Sequence, residues 1–385
     1  MSPKSIVLIS NLYPNAIEPT KGLFIKQLAE SLASRAKLSV IAPIPYDPLA
    51  RFKKAKTIPY KEKNNGIVIY HPRYLVIPKL FRSFTGFFLY LGIRSTLKRL
   101  VKQGQADIFS AHWVYPDGFG ALLAAKELRR PIAIHALGCD INEYTRFWLR
   151  RLLIRYTLHN SDINIVKSQS LKNNITQLGI APEKTLVVHN GVDQNVFKPL
   201  LKADARQSLG LDPVKKYVLF VGNFQIEKGL ENLIRAIDLV NSEDFELLVI
   251  GSGPLEKQIR KLIIDINISH KVKLLGRIAH RQIPAYLSAV DLLCLPSLRE
   301  GCPNIVLESL SCGTPVVATR VGAVPDIITS SSFGTIVDES SPKALAEGLT
   351  KGLNLRGEES LAFHWYSWDE NAQVVHSIMA RLRFE

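Results

Sequence analysis

The sequence predicts an α/β protein built from two successive units, each a parallel sheet with crossover helices, and three observations carry that reading. At 385 residues the chain is longer than one hydrophobic core usually organises. Its apolar segments alternate between strand-like and helix-like almost from end to end, which is the pattern of repeated β-α-β connections. Midway, residues 190–213 lose their periodicity and carry Gly191, Pro199 and Pro213, which places a joint there. The predicted division is 1–190 and 191–365, with a helix over about 366–385 packing back on the first unit.

In the first unit Ser5–Ser10, Leu38–Ala42, Ile67–Tyr70, Asp107–Ser110, Ile132–His135, Ile163–Val166 and Thr185–Val188 read as strands. Helical periodicity covers Leu23–Ser34, Gly118–Leu128 and Tyr144–Leu158. In the second unit the strands are Tyr217–Val221, Glu246–Ile250, Val272–Leu275, Leu292–Leu295, Val316–Ala318 and Gly334–Val337, with a helix after each. Pro342–Leu353 and Trp368–Leu382 are the last helical segments. Ligands of open parallel sheets bind outside the carboxyl ends of the strands, so two Rossmann-like units are expected to face each other across a cleft.

Formal net charge is +15, which suits anionic partners. Between Lys63 and Ala106 there is no acid, while Arg73, Lys79, Arg82, Arg94, Lys98, Arg99 and Lys102 are interleaved with Leu80, Phe81, Phe84, Phe87, Phe88, Leu89, Tyr90 and Leu91. Two readings stand: in-plane contact with anionic lipid, or a core helix with a solvated basic face. A second cluster, Arg146, Arg150, Arg151 and Arg155 around Phe147, Trp148 and Leu149, favours the membrane. Nucleic acid is not expected, because no recognition module accompanies the charge. No apolar run approaches the roughly 18–20 residues of a spanning helix, and Met1–Asn11 lacks a signal-peptide pattern. The expected location is the cytoplasm, and the lipid reading would add a peripheral seat on the inner face of the plasma membrane. Cys139, Cys294, Cys302 and Cys312 lack metal-ligand spacing and read as reduced thiols, and no metal site is expected.

The candidate site centres on 298–317. Leu292–Leu295 reads as a strand, Glu300 to Cys302 as the loop at its end, and Pro303 as the first helical residue, where a missing N–H costs nothing. The uncapped backbone amides behind Pro303 would then face the crevice and could bind phosphate. Glu308 lies five residues into that helix, about 7.5 Å along it at 1.5 Å per residue, so an acid stands on either side of the anion. An isolated pair of this kind would ordinarily be a loop acid and a surface helix residue; the flanking residues favour a sugar-nucleotide site. After the first strand of the second unit, Gly222-Asn223-Phe224-Gln225-Ile226-Glu227-Lys228-Gly229 puts a lysine at a helix start. That is the wrong sign for the helix dipole unless an anion binds there. Gly253 and Gly276-Arg277 end further strands facing the same expected cleft, where the glycines would simply turn the chain or, at Gly276 to Ile278, let backbone groups read a nucleobase edge. In the first unit Gly22 closes the loop after the first strand. It would allow backbone approach to phosphate or simply turn the chain.

Taken together, these residues resemble the retaining glycosyltransferases of family 4, which have the two-domain GT-B fold. Glu300 and Glu308 match the family's E-x7-E arrangement, Gly222 to Gly229 its Lys-Gly motif, and Val188-His189-Asn190-Gly191-Val192-Asp193 its linker. Gly313-Thr314-Pro315-Val316-Val317-Ala318 and Gly322-Ala323-Val324-Pro325-Asp326 extend the match. Pro14 to Phe24, His112-Trp113-Val114-Tyr115-Pro116-Asp117-Gly118 and Gly138-Cys139-Asp140 are most similar to the bacterial surface-polysaccharide branch.

The resemblance implies transfer of a sugar, with retention, from a UDP- or GDP-linked donor to a glycan or lipid-linked acceptor, without cofactor or metal. Glu300 would touch donor-sugar hydroxyls, Glu308 the ribose and Lys228 the diphosphate, while the amides around Gly301, Cys302, Pro303, Asn304 and Ile305 would hold sugar and phosphate. Two positions depart from the family pattern: Leu137 stands where a histidine is common, with His135 two residues earlier, and Asn223 replaces a donor-side arginine. His135 is thus a candidate active-site group or a core histidine. His112 would approach the acceptor or serve the fold, and Asp140 would orient acceptor hydroxyls or cap the following helix. A nucleotide-sugar epimerase and a non-catalytic sugar-nucleotide binder are the competing functions.

Overall fold

The computed structural model describes residues 5–47, 57–77, 82–240, 245–355 and 363–382. They form two compact units, Met1–Gly191 together with Trp368–Glu385, and Val192–Ser367. The first unit runs β1 (Ser5–Ile9), α1 (Leu23–Ala33), β2 (Lys37–Ile41), β3 (Ile44–Tyr46), β4 (Lys61–Asn64), β5 (Ile67–Tyr70), β6 (Arg73–Leu75) and α2 (Thr85–Lys102). It continues through β7 (Ile108–His112), α3 (Phe119–Leu128), β8 (Ile132–Ala136), α4 (Cys139–Asn142), α5 (Trp148–Asn160), β9 (Ile163–Val166), α6 (Gln169–Gln177) and β10 (Thr185–Val187). The main sheet has the order β10-β9-β8-β7-β1-β2-β5-β4 and is parallel except for β4. β1, Ser-Ile-Val-Leu-Ile, is buried along its whole length, as a central strand covered on both faces must be.

The second unit runs α7 (Lys202–Leu209), β11 (Lys216–Val221), α8 (Leu230–Leu239), β12 (Phe245–Ile250), α9 (Glu256–Asp265), β13 (Val272–Gly276) and α10 (Ile283–Ala289). It ends with β14 (Leu292–Leu295), α11 (Asn304–Ser311), β15 (Val316–Thr319), α12 (Val324–Ile327), β16 (Gly334–Val337) and α13 (Pro342–Gly352). Its six strands are all parallel, in the order β13-β12-β11-β14-β15-β16. α8 shows why these helices form: Leu230, Leu233, Ile234 and Ile237 recur at helical spacing and all are buried.

The last helix, α14 (Trp368–Ala380), belongs to the first unit. Trp368, Ala372, Val375 and Met379 form its inner stripe and share a core with Leu28 and Leu32 of α1. At about 1.5–3 kcal/mol for each large buried side chain, that stripe is a substantial part of the layer. Arg35 clamps Asp369 through two hydrogen bonds of 2.6 and 2.8 Å. No helix among the described residues is long and apolar enough to cross a membrane.

Several boundaries differ from the sequence reading. β3 and β6 pair as a small separate sheet, and β4 joins the edge of the main sheet through the Asn65-Gly66 turn. β4 is a polar Lys-Glu-Lys-Asn segment without apolar alternation, which is why it escapes a hydrophobicity reading. The helix expected over Tyr144–Leu158 is divided by extended backbone at Phe147, and α7 lies within the stretch taken as aperiodic. Of the basic segment read from sequence, Lys79, Leu80 and Phe81 lie outside the described residues.

Candidate active site

In the second unit the chain goes to β12 from β11 on one side and to β15 from β14 on the other. The order therefore reverses between β11 and β14, and a crevice opens at their carboxyl ends. Lys228 follows β11 and Glu300 follows β14, and they meet across it with Lys228 Nζ 2.7 Å from Glu300 Oε1. The Ser297 hydroxyl donates to the same oxygen at 2.7 Å. The carboxylate is nearly buried and the ammonium about one-third exposed, so the pair is held in place while one side stays open. Lys228 is not at the helix start expected from sequence. It lies in a short turn, Ile226–Lys228, ended by Gly229 with φ 65°, and α8 begins at Leu230. A Cβ on Gly229 would lie 1.9 Å from the Pro296 carbonyl oxygen, so only glycine lets these two loops touch.

Pro303 likewise sits one place earlier than expected: its ψ of 101° is extended, so it precedes α11, which begins at Asn304. Among the described residues no side chain caps that N-terminus, and a helix end of this kind suits an anion. Cys302 and Ile305 pack on the unit's core, so only their backbone can serve such an anion. Gly301 accepts from the Ala323 amide at 2.9 Å, which anchors the loop to the turn after β15. Glu308, the fifth residue of α11, meets His280 Nε2 at 3.1 Å. His280 comes from the turn after β13 and rests edge-on against Phe197, with ring centroids 5.1 Å apart. The hydrogen bond to Glu308 raises the His280 pKa above its usual value. Gly222 and exposed Asn223 end β11; Gly253 lies close beneath the Phe224 backbone, and Gly276 ends β13 in left-handed conformation. Arg277 donates to the Ser252 hydroxyl.

The first unit has its own reversal, between β1 and β7. There Asp117 accepts from the Asn11 amide at 2.8 Å and Ser10 donates to the His112 carbonyl at 3.1 Å, joining the two loops. Burial pushes the Asp117 carboxyl up to about 8. His112 and His135 are register partners on β7 and β8, stacked with centroids 3.9 Å apart, and the Ser110 hydroxyl lies 3.3 and 3.1 Å from their Nε2 atoms. Burial, with positive Lys167 nearby, holds both imidazoles well below their usual pKa, so they are neutral near pH 7. Both rings are fully enclosed, and among the described residues His135 Nδ1 has no hydrogen-bonding partner.

Asp140 does not cap the following helix. Its carboxylate turns back to accept from the amides of Leu137, Gly138 and Val114 at 2.8–3.3 Å, fixing the loops after β7 and β8. Gly22 starts α1 with φ 57°, and a Cβ there would lie 2.2 Å from the Leu12 carbonyl oxygen; the turn alone demands glycine.

The structure thus brings Lys228 and Glu300 into contact, gives Glu308 a histidine partner, and gathers His112 and His135 at neighbouring strand ends with Asp140 bracing their loops. Sequence reasoning missed Ser297, His280, Ser110 and Asp117 as members of these clusters. His280 and Ser297 carry no periodic or motif signal. Asp117 lies inside a stretch already singled out and was visible there.

Comparison with known proteins agrees with this geometry. Residues 22–196 match the family model described as Glycosyltransferase Family 4, and residues 202–366 the model described as Glycosyl transferases group 1. A Bacillus subtilis protein provisionally named as the teichuronic acid biosynthesis glycosyltransferase TuaC is 26% identical over 90% of this chain and 88% of its own length. The N-acetyl-alpha-D-glucosaminyl L-malate synthase of Bacillus anthracis is 26% identical over 70% of this chain and 71% of its own. Among solved structures, sucrose-phosphate synthase from Thermosynechococcus elongatus superposes with a TM-score of 0.80 at 21% identity, covering 97% of this chain and 98% of that one. Anabaena HepE in complex with UDP and glucose gives 0.73 at 18% identity, covering 98% and 100%.

The fold is therefore that of the GT-B glycosyltransferases. Within that class the chain belongs to glycosyltransferase family 4, the group 1 glycosyl transferases, whose two family models lie end to end along it.

Proposed function

We propose that this glycosyltransferase moves a sugar, with retention of configuration, from a UDP- or GDP-linked donor to a glycan or lipid-linked acceptor in surface-polysaccharide synthesis. The Lys228–Glu300 pair across the β11/β14 reversal carries the reading. A lysine and an acid held together there match what a sugar diphosphate needs: a cation for the leaving group and an acceptor for sugar hydroxyls. The second unit would bind the donor, with Glu308 on the ribose and the backbone from Gly301 to Ile305 around the diphosphate. The first unit would supply acceptor contacts from the loops near His112 and Asp140. TuaC, by its name, and HepE, by its bound UDP and glucose, support the direction of this reading.

Retention through two displacements would need a carboxylate beneath the anomeric carbon. The sequence offers no identifiable candidate, so we favour front-face exchange. The bond from the anomeric carbon to the diphosphate oxygen breaks, its electron pair leaves on that oxygen, and the acceptor hydroxyl attacks from the same side. The hydroxyl proton passes to the departing phosphate. Lys228 and the α11 N-terminus offset the leaving charge, and transfer is expected to continue at an unchanged rate in excess chelator. A chelator-sensitive rate restored by a divalent ion would overturn that expectation.

A thermal-shift panel of nucleoside diphosphates and their sugars tests the donor reading, since a bound donor stabilises the fold by mass action. No stabilisation by any of them, with no sugar transferred to cell-derived acceptors, rejects it. Product analysis with donor alone separates an epimerase, and binding without hydrolysis or transfer marks a non-catalytic binder.

His280 gives a pH signature. When protonated it engages Glu308 most strongly and competes with ribose hydroxyls for that carboxylate. Its pKa is raised, so donor affinity is expected to increase as pH rises through that value and the histidine loses its charge. Calorimetric titration with nucleoside diphosphate should show the trend, and H280A should flatten it. An equal slope in both proteins would remove His280 from the account.

A further inference from the structure

The layer formed by α2, α3 and α5 carries features that neither donor chemistry nor the core explains. Phe84, Phe87 and Leu91 at the start of α2, and Phe147, Trp148 and Leu152 at the start of α5, are exposed, Trp148 by 73%. They are not scattered. α2 packs closely on α3 through Gly86 and Gly120, and Phe119 of α3 meets Tyr156 of α5 with centroids 6.3 Å apart, so the three helices make one continuous face.

The same face is basic. Arg94, Lys98 and Lys102 on α2 and Arg151 and Arg155 on α5 are exposed and have no acid on their own helices, whereas the Arg99 guanidinium turns onto the Tyr60 and Tyr70 rings. Glu127 is the one acid on the three helices, and Arg94 and Tyr90 already hold it at 2.6–2.8 Å.

Helices that cross between parallel strands run opposite to them, so the amino ends of α2, α3 and α5 lie at the carboxyl ends of the strands. The exposed aromatic residues therefore sit at the end of the unit where His112 and Asp140 lie. A line of ring contacts joins the two places: Arg150 stacks over Phe147 and Tyr144 at 4.8 and 5.0 Å, and Tyr144 meets Trp113, next to His112, at 5.6 Å.

We propose that this face seats the first unit on an anionic lipid bilayer, with its aromatic ends inserted at headgroup level and its arginines and lysines over the anionic surface. The proposal rests on the lipid-linked form of the acceptor proposed above, and it names the surface that would deliver it. Amphipathic aromatics at the apolar boundary with cations beside them are the chemistry of such a surface. A duplex nucleic acid is met chiefly by cations on its phosphates, and an apolar protein partner would not call for this excess of positive charge.

The test uses the full chain and sedimentation with vesicles of pure phosphatidylcholine or of phosphatidylcholine mixed with phosphatidylglycerol. Binding only to the mixed vesicles, weakening as salt is raised, is expected. F147S/W148S and R151E/R155E should each lower that binding at least tenfold while nucleoside diphosphate still stabilises the second unit as in the unsubstituted protein. Binding unchanged in both variants, equal binding to both vesicle types, or no binding by the unsubstituted chain would overturn the proposal. In the last case, self-association of the unsubstituted chain that the variants abolish would assign the face to a second copy instead. Vesicle binding with no response to any nucleotide would overturn the donor reading while leaving this surface standing.

Discussion

Glu300→Gln is expected to lower the rate of sugar transfer by about 100-fold or more while leaving the fold intact. Hydrogen bonds to a charged group contribute about 1.5–3 kcal/mol each, and two of them strengthened in the transition state amount to roughly two powers of ten. The amide is isosteric and still accepts from the Ser297 hydroxyl, so melting temperature should hold. Lys228 remains partly exposed and does not become a buried unpaired charge. Because lysine and acid act on one bound diphosphate sugar, K228A and E300Q combined should lose less than the sum of the separate free-energy losses. Steady-state kinetics on the four proteins measures this. Near-normal transfer by E300Q would remove Glu300 from the chemistry.

Asp140→Ala should act on stability instead. The carboxylate is fully buried and satisfies the amides of Leu137, Gly138 and Val114. Deleting it strands three donors at about 1–3 kcal/mol each, and allowing for partial relaxation the expected loss is about 3–5 kcal/mol. The urea midpoint of the first unit should fall accordingly, with nucleotide binding by the second unit kept below that midpoint. Asp140→Asn retains an acceptor oxygen and should recover part of the loss. If D140A unfolds at the unsubstituted midpoint yet loses transfer, Asp140 touches substrate and its bracing role is secondary.

The parallel sheets were legible because their strands are continuous apolar runs with helical periodicity between them, and β1 and α8 are clear cases. β4 was not, since a charged edge strand gives no hydrophobic signal; the Asn65-Gly66 pair, left-handed at both residues, was the available cue to that hairpin. Motif spacing located Lys228, Glu300 and Glu308, but not their partners. Ser297 meets Glu300 within the loop after β14 and His280 meets Glu308 from the turn after β13, contacts that no local pattern in the sequence encodes. The sequence reading left Asp140 to orient acceptor hydroxyls or cap the following helix, whereas its carboxylate accepts from amides that lie before that helix. A carboxylate two residues past a glycine can serve amides on either side, and only the backbone path decides which.

The return of α14 to the first unit has a consequence for how the protein is made. On the ribosome, β1 to β10 emerge well before the segment that covers the Leu28 and Leu32 side of α1, so the nascent first unit must wait, with apolar surface bare, through synthesis of the whole second unit. A message truncated before Trp368 would leave that surface permanently uncovered, a natural target for chaperones and proteases.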